Sequence, residues 1–189
     1  YLSTLQEIRL LGLKDLPFCW GEIEECGKDP LENARQKALA YYRICGQPVF
    51  SQDSGLYIEG LPKERQPGVH VRRVNGVNLT DEQMRKYYKK IAAEFGGRCV
   101  AQYQNAICLV FSENEIYEAR GGALNWKKFW LMTEERPQRM EGFPLDAICA
   151  DYRTGRHFYD GEATMPEEEG DGVRDFFRNA LKQHEMRMG

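Results

Sequence analysis

Apolar residues recur at helical spacing in two parts of the chain, which predicts two amphipathic helices. The first runs from Thr80 to Phe95, where Thr80 and Gln83 form a capping box. Its apolar face carries Met84, Tyr87, Tyr88, Ile91 and Phe95. The second contains Val173, Phe176, Phe177, Ala180 and Leu181, and we expect it to pack on the core.

A third helix is predicted by its end signals. Asp29 is a good N-cap, Pro30 occupies a position where a missing N–H costs nothing, and Glu32 is placed to complete a capping box. Gly46 is the expected C-terminal stop. The short apolar run 48–51 that follows is predicted as a strand, ended by an acidic turn over 52–55.

The strand signals point to a mixed sheet. A helix that leads into a short apolar strand is half of a right-handed crossover, which predicts a parallel pair. The long apolar run 99–111 and the run 116–119, separated by a polar turn, predict an antiparallel hairpin. Residues 8–13 are a further expected strand. Gly121-Gly122 opens a stretch that we expect to be irregular, with Trp126, Lys127, Lys128, Phe129 and Trp130 at a lobe edge or dimer surface.

Composition narrows the functional classes. The 189 residues fit one domain with a full core. The net charge of −3 does not suggest a basic groove that would bind nucleic acid. Six cysteines show neither a C-x-x-C pair nor zinc spacing, which favours free thiols in a reducing, cytoplasmic setting. No run is long enough to span a bilayer.

Candidate site residues lie around the helix predicted between Asp29 and Gly46 and at the end of the strand that follows it. Ligands of α/β sheets collect beyond the carboxyl ends of strands, where Asp53 and Ser54 are expected. The helix and strand could bring Asp53 and Glu25 together, and Mg²⁺ takes one or two carboxylates plus substrate phosphates. Lys37 could offer a charge to a phosphate. The alternative is a surface acid, a turn aspartate and a solvated lysine.

These residues resemble the inosine/xanthosine triphosphate pyrophosphatase family. That family carries a pattern close to E-x-G-x-T-F-x-E-N-A-x-x-K-A, followed by A-D-D-S-G-L. Glu25, the run 32–38 and the run 51–56 match it in register, although Gln52 replaces the first aspartate. The resemblance implies a mixed α/β fold whose central sheet has helices on both faces, with two lobes flanking a nucleotide cleft, commonly in a homodimer.

Two later segments extend the resemblance. Pro67-Gly68-Val69 with Arg73 is similar to P-G-V-Y-S-A-R-Y, and the segment 141–148 is similar to G-F-G-Y-D-P-I-F. The resemblance implies that Arg73 binds substrate, that Phe143 stacks on the purine and that Asp146 contacts it. The alternatives are a solvated arginine beside a turn and a core phenylalanine before an edge strand. The family's K-x-x-x-S-H-R-x-x-A-L keeps only Ala180-Leu181, because Phe176 and Phe177 stand in place of His and Arg.

The resemblance implies Mg²⁺-dependent hydrolysis of a nucleoside triphosphate to the monophosphate and pyrophosphate. Glu25 and Asp53 are then metal ligands, Asp53 also orients or deprotonates water, and Lys37 and Ser54 bind substrate. We expect one domain over 1–189, with 96–145 a smaller lobe and the family's T-x-G-N-x-x-K phosphate loop absent from this chain. Two alternatives stay open: a nucleotide-binding relic without catalysis, or a pyrophosphatase for another base.

Overall fold

The structure, a computed structural model, describes residues 9–17, 21, 23–160 and 171–189, which form a mixed α/β fold. The three α-helices of these residues are α1 (Pro30–Cys45), α2 (Asp81–Glu94) and α3 (Asp171–Met188). The strands are β1 (Val49–Ile58), β2 (Arg73–Val74), β3 (Val77–Asn78), β4 (Arg98–Ser112), β5 (Glu115–Arg120), β6 (Phe129–Met132) and β7 (Cys149–Asp151). The central sheet has the order β1-β4-β6-β7 with β5 paired to β4, and β2 pairs with β3.

The chain divides into two compact units, each with its own core. The first comprises Tyr1–Asp53, Asn105–Asn125 and Pro166–Gly189, and the second comprises Ser54–Gln104 and Trp126–Met165. Two of the divisions, after Asp53 and after Gln104, fall within β1 and β4.

In the first unit, two helices pack against opposite faces of the second half of β4. Ala34 and Ala38 of α1 pack with Cys108 and Val110 of β4. Phe177 and Ala180 of α3 pack with Ile107, Leu109 and Leu124. Because successive strand residues point to opposite faces, the odd and even positions of β4 serve two separate clusters. Within this unit, the expectation of helices on both faces of the sheet is confirmed.

In the second unit, α2 packs on the first half of β4 and on β6. The capping box is present as predicted: the Gln83 N–H donates to Oγ1 of Thr80, and the Thr80 N–H donates to Oε1 of Gln83. The buried residues of this core include Met84, Tyr88, Ile91, Cys99, Ala101, Phe129 and Leu131. Phe129 and Trp130 thus belong to a strand, and the expectation of an irregular segment is wrong there because their alternation places Phe129 in the core.

The predicted hairpin is confirmed, whereas the predicted parallel pair is not. β4 pairs with β5 and with β6, and β6 pairs with β7, all antiparallel. The crossover needs a strand ahead of α1, and the residues described there, 9–17, 21 and 23–29, form no strand. Of the expected strand over 8–13, Ile8 lies outside the described residues, 9–12 form no regular element, and Leu13–Asp15 is a 3₁₀ turn.

The predicted turn after the first strand is also wrong. β1 continues from Val49 through Asp53 to Ile58, and Leu56 forms an antiparallel bridge with Gly68. Gly55 does not turn the chain. It is buried, and a Cβ there would lie 3.0 Å from the carbonyl carbon of Gly68. The glycine therefore permits a close approach between two backbones.

Candidate active site

The start of α1 fixes the loop that carries Glu25. Oδ1 of Asp29 accepts hydrogen bonds from the N–H groups of Leu31 and Glu32, as predicted for an N-cap. Glu32 does not complete the capping box, because its Oε2 accepts from the N–H of Lys28 at 2.7 Å. The other end is also as predicted, since Gly46 has φ 63° and its N–H donates to the Tyr42 carbonyl.

Lys37 joins the two acids that the sequence singles out. Its Nζ lies 2.9 Å from Oε1 of Glu25 and 2.8 Å from Oδ1 of Asp53. Lys37 projects from the second turn of α1, Asp53 lies in β1, and Glu25 lies in the irregular segment before the helix. The three side chains meet although Glu25 and Asp53 are 28 positions apart in the sequence.

A fourth residue, Asn33, completes this cluster and was not singled out from the sequence. Its Nδ2 donates to Oδ2 of Asp53 at 3.2 Å, and its Oδ1 accepts from the N–H of Gly27 at 2.8 Å. Asn33 and Lys37 are four residues apart, so they lie on one face of the helix. That spacing of two polar residues beside Ala34 and Ala38 is the signal by which Asn33 could have been found.

The cluster favours the charged form of Lys37. Burial is the largest single effect and works against the ammonium, but the hydrogen bonds to Asp53 and Glu25 outweigh it, so the pKa of Lys37 is raised above its ordinary value. The side chain of Asp53 is 13% exposed and that of Glu25 is 42% exposed. Lys37 therefore carries a positive charge at neutral pH beside one sheltered and one accessible carboxylate.

The carboxylates of Glu25 and Asp53 suit a hard cation only when a bound ligand supplies further oxygen atoms to the same cation. No group of three histidine, cysteine or acidic side chains able to hold a metal occurs among the residues that the structure describes. Glu25 and Asp53 supply two carboxylates, and Mg²⁺ is commonly held by one or two carboxylates together with substrate phosphates and water. These residues therefore fit Mg²⁺ when it arrives with a phosphate group.

The remaining predicted site residues begin with Ser54. It follows Asp53 in β1 and is exposed, and strand alternation directs its side chain to the face opposite that of Asp53. Gln52 is likewise exposed on that opposite face.

Three further predicted residues lie in the second unit. Arg73 is exposed at the start of β2, and its Nε donates to Oδ1 of Asn78 on β3 at 3.4 Å. Phe143 is 58% exposed in a turn, so it is not a core phenylalanine. Asp146 begins a 3₁₀ turn two residues before buried Ile148, and burial raises the pKa of its carboxyl group.

The phenylalanines that replace the family's His and Arg belong to the core of the first unit. Phe177 is 2% exposed, and its ring packs edge-to-face on Phe50 with centroids 5.1 Å apart. Phe176 packs on Phe177 at 5.5 Å and is partly buried. An apolar residue suits position 177 because the side chain packs against Phe50 in the core. This side chain offers no polar group to a ligand.

Comparison with known proteins assigns the family. The model of the Ham1 family matches residues 2–125. The chain belongs to the Ham1 family. Members similar to it include the dITP/XTP pyrophosphatase of Geobacter sulfurreducens, which is 42% identical over 73 residues that make up 39% of this chain and 35% of that protein. The dITP/XTP pyrophosphatase of Coxiella burnetii is 34% identical over 119 residues, 60% of this chain and 58% of its own.

A solved structure supports the Ham1 fold over more of the chain. The nucleoside-triphosphatase, or dITP/XTP pyrophosphatase, of Mycobacterium abscessus superposes with a TM-score of 0.64 at 25% identity, and the superposition covers 94% of this chain and 90% of that one. In sequence, the chain spans from about a third to three fifths of the first curated relatives it matches. The match that carries the family also contains Glu25, Asn33, Lys37 and Asp53.

Proposed function

We propose that this chain is a nucleoside triphosphate pyrophosphatase that hydrolyses inosine or xanthosine triphosphate, or their deoxy forms, to the monophosphate and pyrophosphate. The observation that carries the proposal is the position of Lys37 between the carboxylates of Glu25 and Asp53. The names of the similar Ham1 family members, dITP/XTP pyrophosphatases, support the choice of substrate.

Asp53 is the proposed catalytic residue. Water attacks the α-phosphorus, the bond from that phosphorus to the oxygen bridging to the β-phosphorus breaks, and pyrophosphate leaves. Asp53 orients the water and accepts its proton, while its two oxygens are held by Lys37 and Asn33. Fixing these groups in advance is the main way in which a protein accelerates such a transfer.

The proposed cofactor is Mg²⁺, with Glu25 and Asp53 as its protein ligands. When bound, this cation supplies positive charge to the phosphate oxygens. Lys37 adds a further fixed positive charge toward the substrate phosphates. We assign Ser54 and Arg73 to substrate binding, Phe143 to stacking on the base and Asp146 to contact with it; stacking of this kind contributes about 1–3 kcal/mol per base.

Pyrophosphate release tests the proposal. Purified protein is incubated with inosine, xanthosine, adenosine and guanosine triphosphates, with Mg²⁺ or with a chelator. We expect Mg²⁺-dependent release from the first two, lost in Asp53→Asn and kept in Asp81→Asn, a carboxylate at the start of α2 that is paired with Arg72. Absence of turnover on every triphosphate, or full activity of Asp53→Asn, would overturn it.

Phe177 favours a second candidate within the same family. The resembled family has at this place one of the Lys, His and Arg residues that contact the phosphate and the 6-oxo purine. Because Phe177 places a buried ring there, the preferred base can differ, or the chain can bind a nucleotide without hydrolysing it. A wider panel that includes modified pyrimidine triphosphates separates the first case. Calorimetry separates the second, which requires binding of a nucleotide without release of pyrophosphate.

We also propose a cytoplasmic, homodimeric protein that binds a small nucleotide rather than nucleic acid. The five cysteines described are free thiols, which supports a reducing setting. In the described part of the chain, no helix is both long and apolar enough to cross a membrane. Sedimentation velocity tests the dimer, since a single species of monomer mass at micromolar concentration would contradict it.

A further inference from the structure

Asn33 is a buried polar side chain whose hydrogen bonds connect two separate parts of the proposed site. It is 1% exposed and lies in the first turn of α1. One end of its amide contacts the segment that carries Glu25, and the other contacts Asp53 in β1. A buried amide with satisfied hydrogen bonds resists movement, because breaking either bond leaves a polar group unpaired away from water.

The orientation of this amide is fixed by chemistry. The N–H of Gly27 can only donate, so the atom that faces it must be the carbonyl oxygen of Asn33. The NH₂ group is consequently directed at Oδ2 of Asp53. Since Lys37 donates to Oδ1 of the same carboxylate, each oxygen of Asp53 accepts from its own donor, and the rotation of the carboxylate plane is set.

The contact at Gly27 is close as well as polar. A Cβ at this position would lie 2.5 Å from Oδ1 of Asn33 and 2.9 Å from its backbone nitrogen. Only a glycine therefore lets the loop approach α1 at this distance. Glu25 is two residues upstream, so the Gly27–Asn33 hydrogen bond fixes where the loop presents its acid.

We propose that Asn33 is a positioning residue that holds Asp53 directly and Glu25 through the Gly27 backbone, so that both carboxylates are presented to the same metal–nucleotide ligand. The inference rests on the proposed function. Outer residues that hydrogen-bond metal-binding carboxylates typically change metal affinity or activity by about 10–100-fold when removed.

Two variants separate the two contacts. Asn33→Asp keeps an oxygen for the N–H of Gly27 but replaces the donor facing Asp53 with a second carboxylate. Asn33→Ala removes both contacts. Leu39→Ala is the matched control, because Leu39 lies on α1 against the cluster of Ala34, Ala38 and Val110 and its apolar side chain has no group that could hydrogen-bond to either acid.

In Asn33→Asp, the acid limb of the profile of kcat/KM against pH moves to higher pH by about one unit or more, since two adjacent carboxyl groups share their protons. In Asn33→Ala, the Mg²⁺ concentration for half-maximal activity rises about 10–100-fold. One readout needs neither metal nor turnover: hydrogen exchange at the Gly27 amide is accelerated in Asn33→Ala but not in Asn33→Asp.

The outcomes are distinct. If wild-type protein hydrolyses triphosphates while both variants keep its pH profile and Mg²⁺ dependence, Asn33 does not position the acids. The same conclusion follows if Asn33→Ala lowers only the thermal midpoint, which is the effect expected of Leu39→Ala. A wild-type protein that hydrolyses no triphosphate overturns the proposed function, and the positioning role with it.

Discussion

The ammonium nitrogen of Lys37 lies 2.8 Å from Oδ1 of Asp53, 16 residues further along the chain. This contact joins α1 to β1 within the first unit and provides the clearest test of the proposed site. In Lys37→Met, the shape is nearly kept but the charge is lost, so Asp53 and Glu25 face each other without a cation between them. We expect kcat/KM to fall by about 100-fold or more, as when one preorganised electrostatic group is removed.

The control for Lys37 lies two residues earlier on the same helix. Arg35 is exposed and faces Glu118 at 3.5 Å, away from Asp53. Arg35→Met should leave the rate of triphosphate hydrolysis within about twofold, because exposed ion pairs contribute little. Equal losses in both variants would show that α1 matters only for stability.

A second prediction concerns Glu135, which three cations surround in the second unit. Arg85, Lys89 and Arg139 approach its carboxylate at 2.9, 3.0 and 2.7 Å. Burial by itself acts to raise the pKa of Glu135, but the hydrogen bond from Lys89 and the neighbouring charges outweigh it and lower the pKa. Glu135→Gln should reduce the free energy of unfolding at neutral pH by about 1–3 kcal/mol, because partly buried Arg85 and Lys89 and exposed Arg139 lose their shared partner.

The dependence on pH gives this prediction its sign. An acid whose pKa is lowered by folding stabilises the folded state above its unfolded pKa, and this contribution disappears as the pH falls through the folded pKa. The difference in urea midpoint between wild type and Glu135→Gln should therefore shrink in acid. Glu82→Gln, in an exposed pair with Lys86, is the control and should change the midpoint little.

A third prediction concerns Asp146, where stability and function oppose each other. Because burial raises its pKa, the folded protein binds the proton more tightly than the unfolded chain does. Ionisation of Asp146 therefore destabilises the folded state. This destabilisation is absent well below the unfolded pKa and complete above the folded pKa. Asp146→Asn should unfold at a higher temperature than wild type at neutral pH, with no difference in strong acid.

The same Asp146→Asn variant should discriminate less well between triphosphates, if this carboxyl group contacts the base. Improved stability at the expense of function is common at binding sites. Thermal denaturation at several pH values and relative kcat/KM on two purine triphosphates provide the measurements. A lower melting temperature at neutral pH would contradict the stability prediction.

A fourth prediction reverses the usual effect of a glycine substitution in a helix. Gly172 lies at the second position of α3, and a Cβ there would be 2.3 Å from the carbonyl oxygen of Ala123. Replacing a helical glycine with alanine normally stabilises a protein. Here the backbone of the turn Gly122–Leu124 would have to move, so we expect Gly172→Ala to lower the free energy of unfolding by about 1–3 kcal/mol.

Asn179→Ala on the same helix is the comparison, since Asn179 is exposed and alanine favours helix. It should be neutral or slightly stabilising in denaturant unfolding. If Gly172→Ala also proves stabilising, the close approach between α3 and Ala123 is absent in solution.

Local signals allowed much of this structure to be predicted from the sequence. The caps at Asp29, Gly46 and Thr80 act within a few residues, and the polar turn between β4 and β5 is equally local. The turn predicted after Ser51 failed because the extension of β1 depends on a distant partner, the backbone of Gly68. The pairing of Leu56 with Gly68, rather than the local sequence pattern, determines that β1 continues to Ile58.

The grouping of the candidate site residues was predictable to a similar extent. Spacing and resemblance pointed to Glu25, Lys37 and Asp53, and the structure brings them together. Asn33 was missed although it shares a helix face with Lys37, because its burial depends on contacts with Gly27 and Asp53 that the sequence does not display. The core role of Phe177 was also inaccessible, because it depends on contact with Phe50, far away in sequence.

The position of Asp53 within β1, rather than in a turn beyond it, has a consequence for how such a protein can change. Asp53 lies in a strand, and Lys37 and Asn33 lie in a helix, so backbone hydrogen bonds hold all three in place before any ligand binds. Of the four residues, Glu25 alone lies in an irregular segment. Evolution or engineering can therefore retune the affinity for the cation by shortening, lengthening or rewriting the residues ahead of Gly27, so that its hydrogen bond to Asn33 is kept. The other three groups would keep their places.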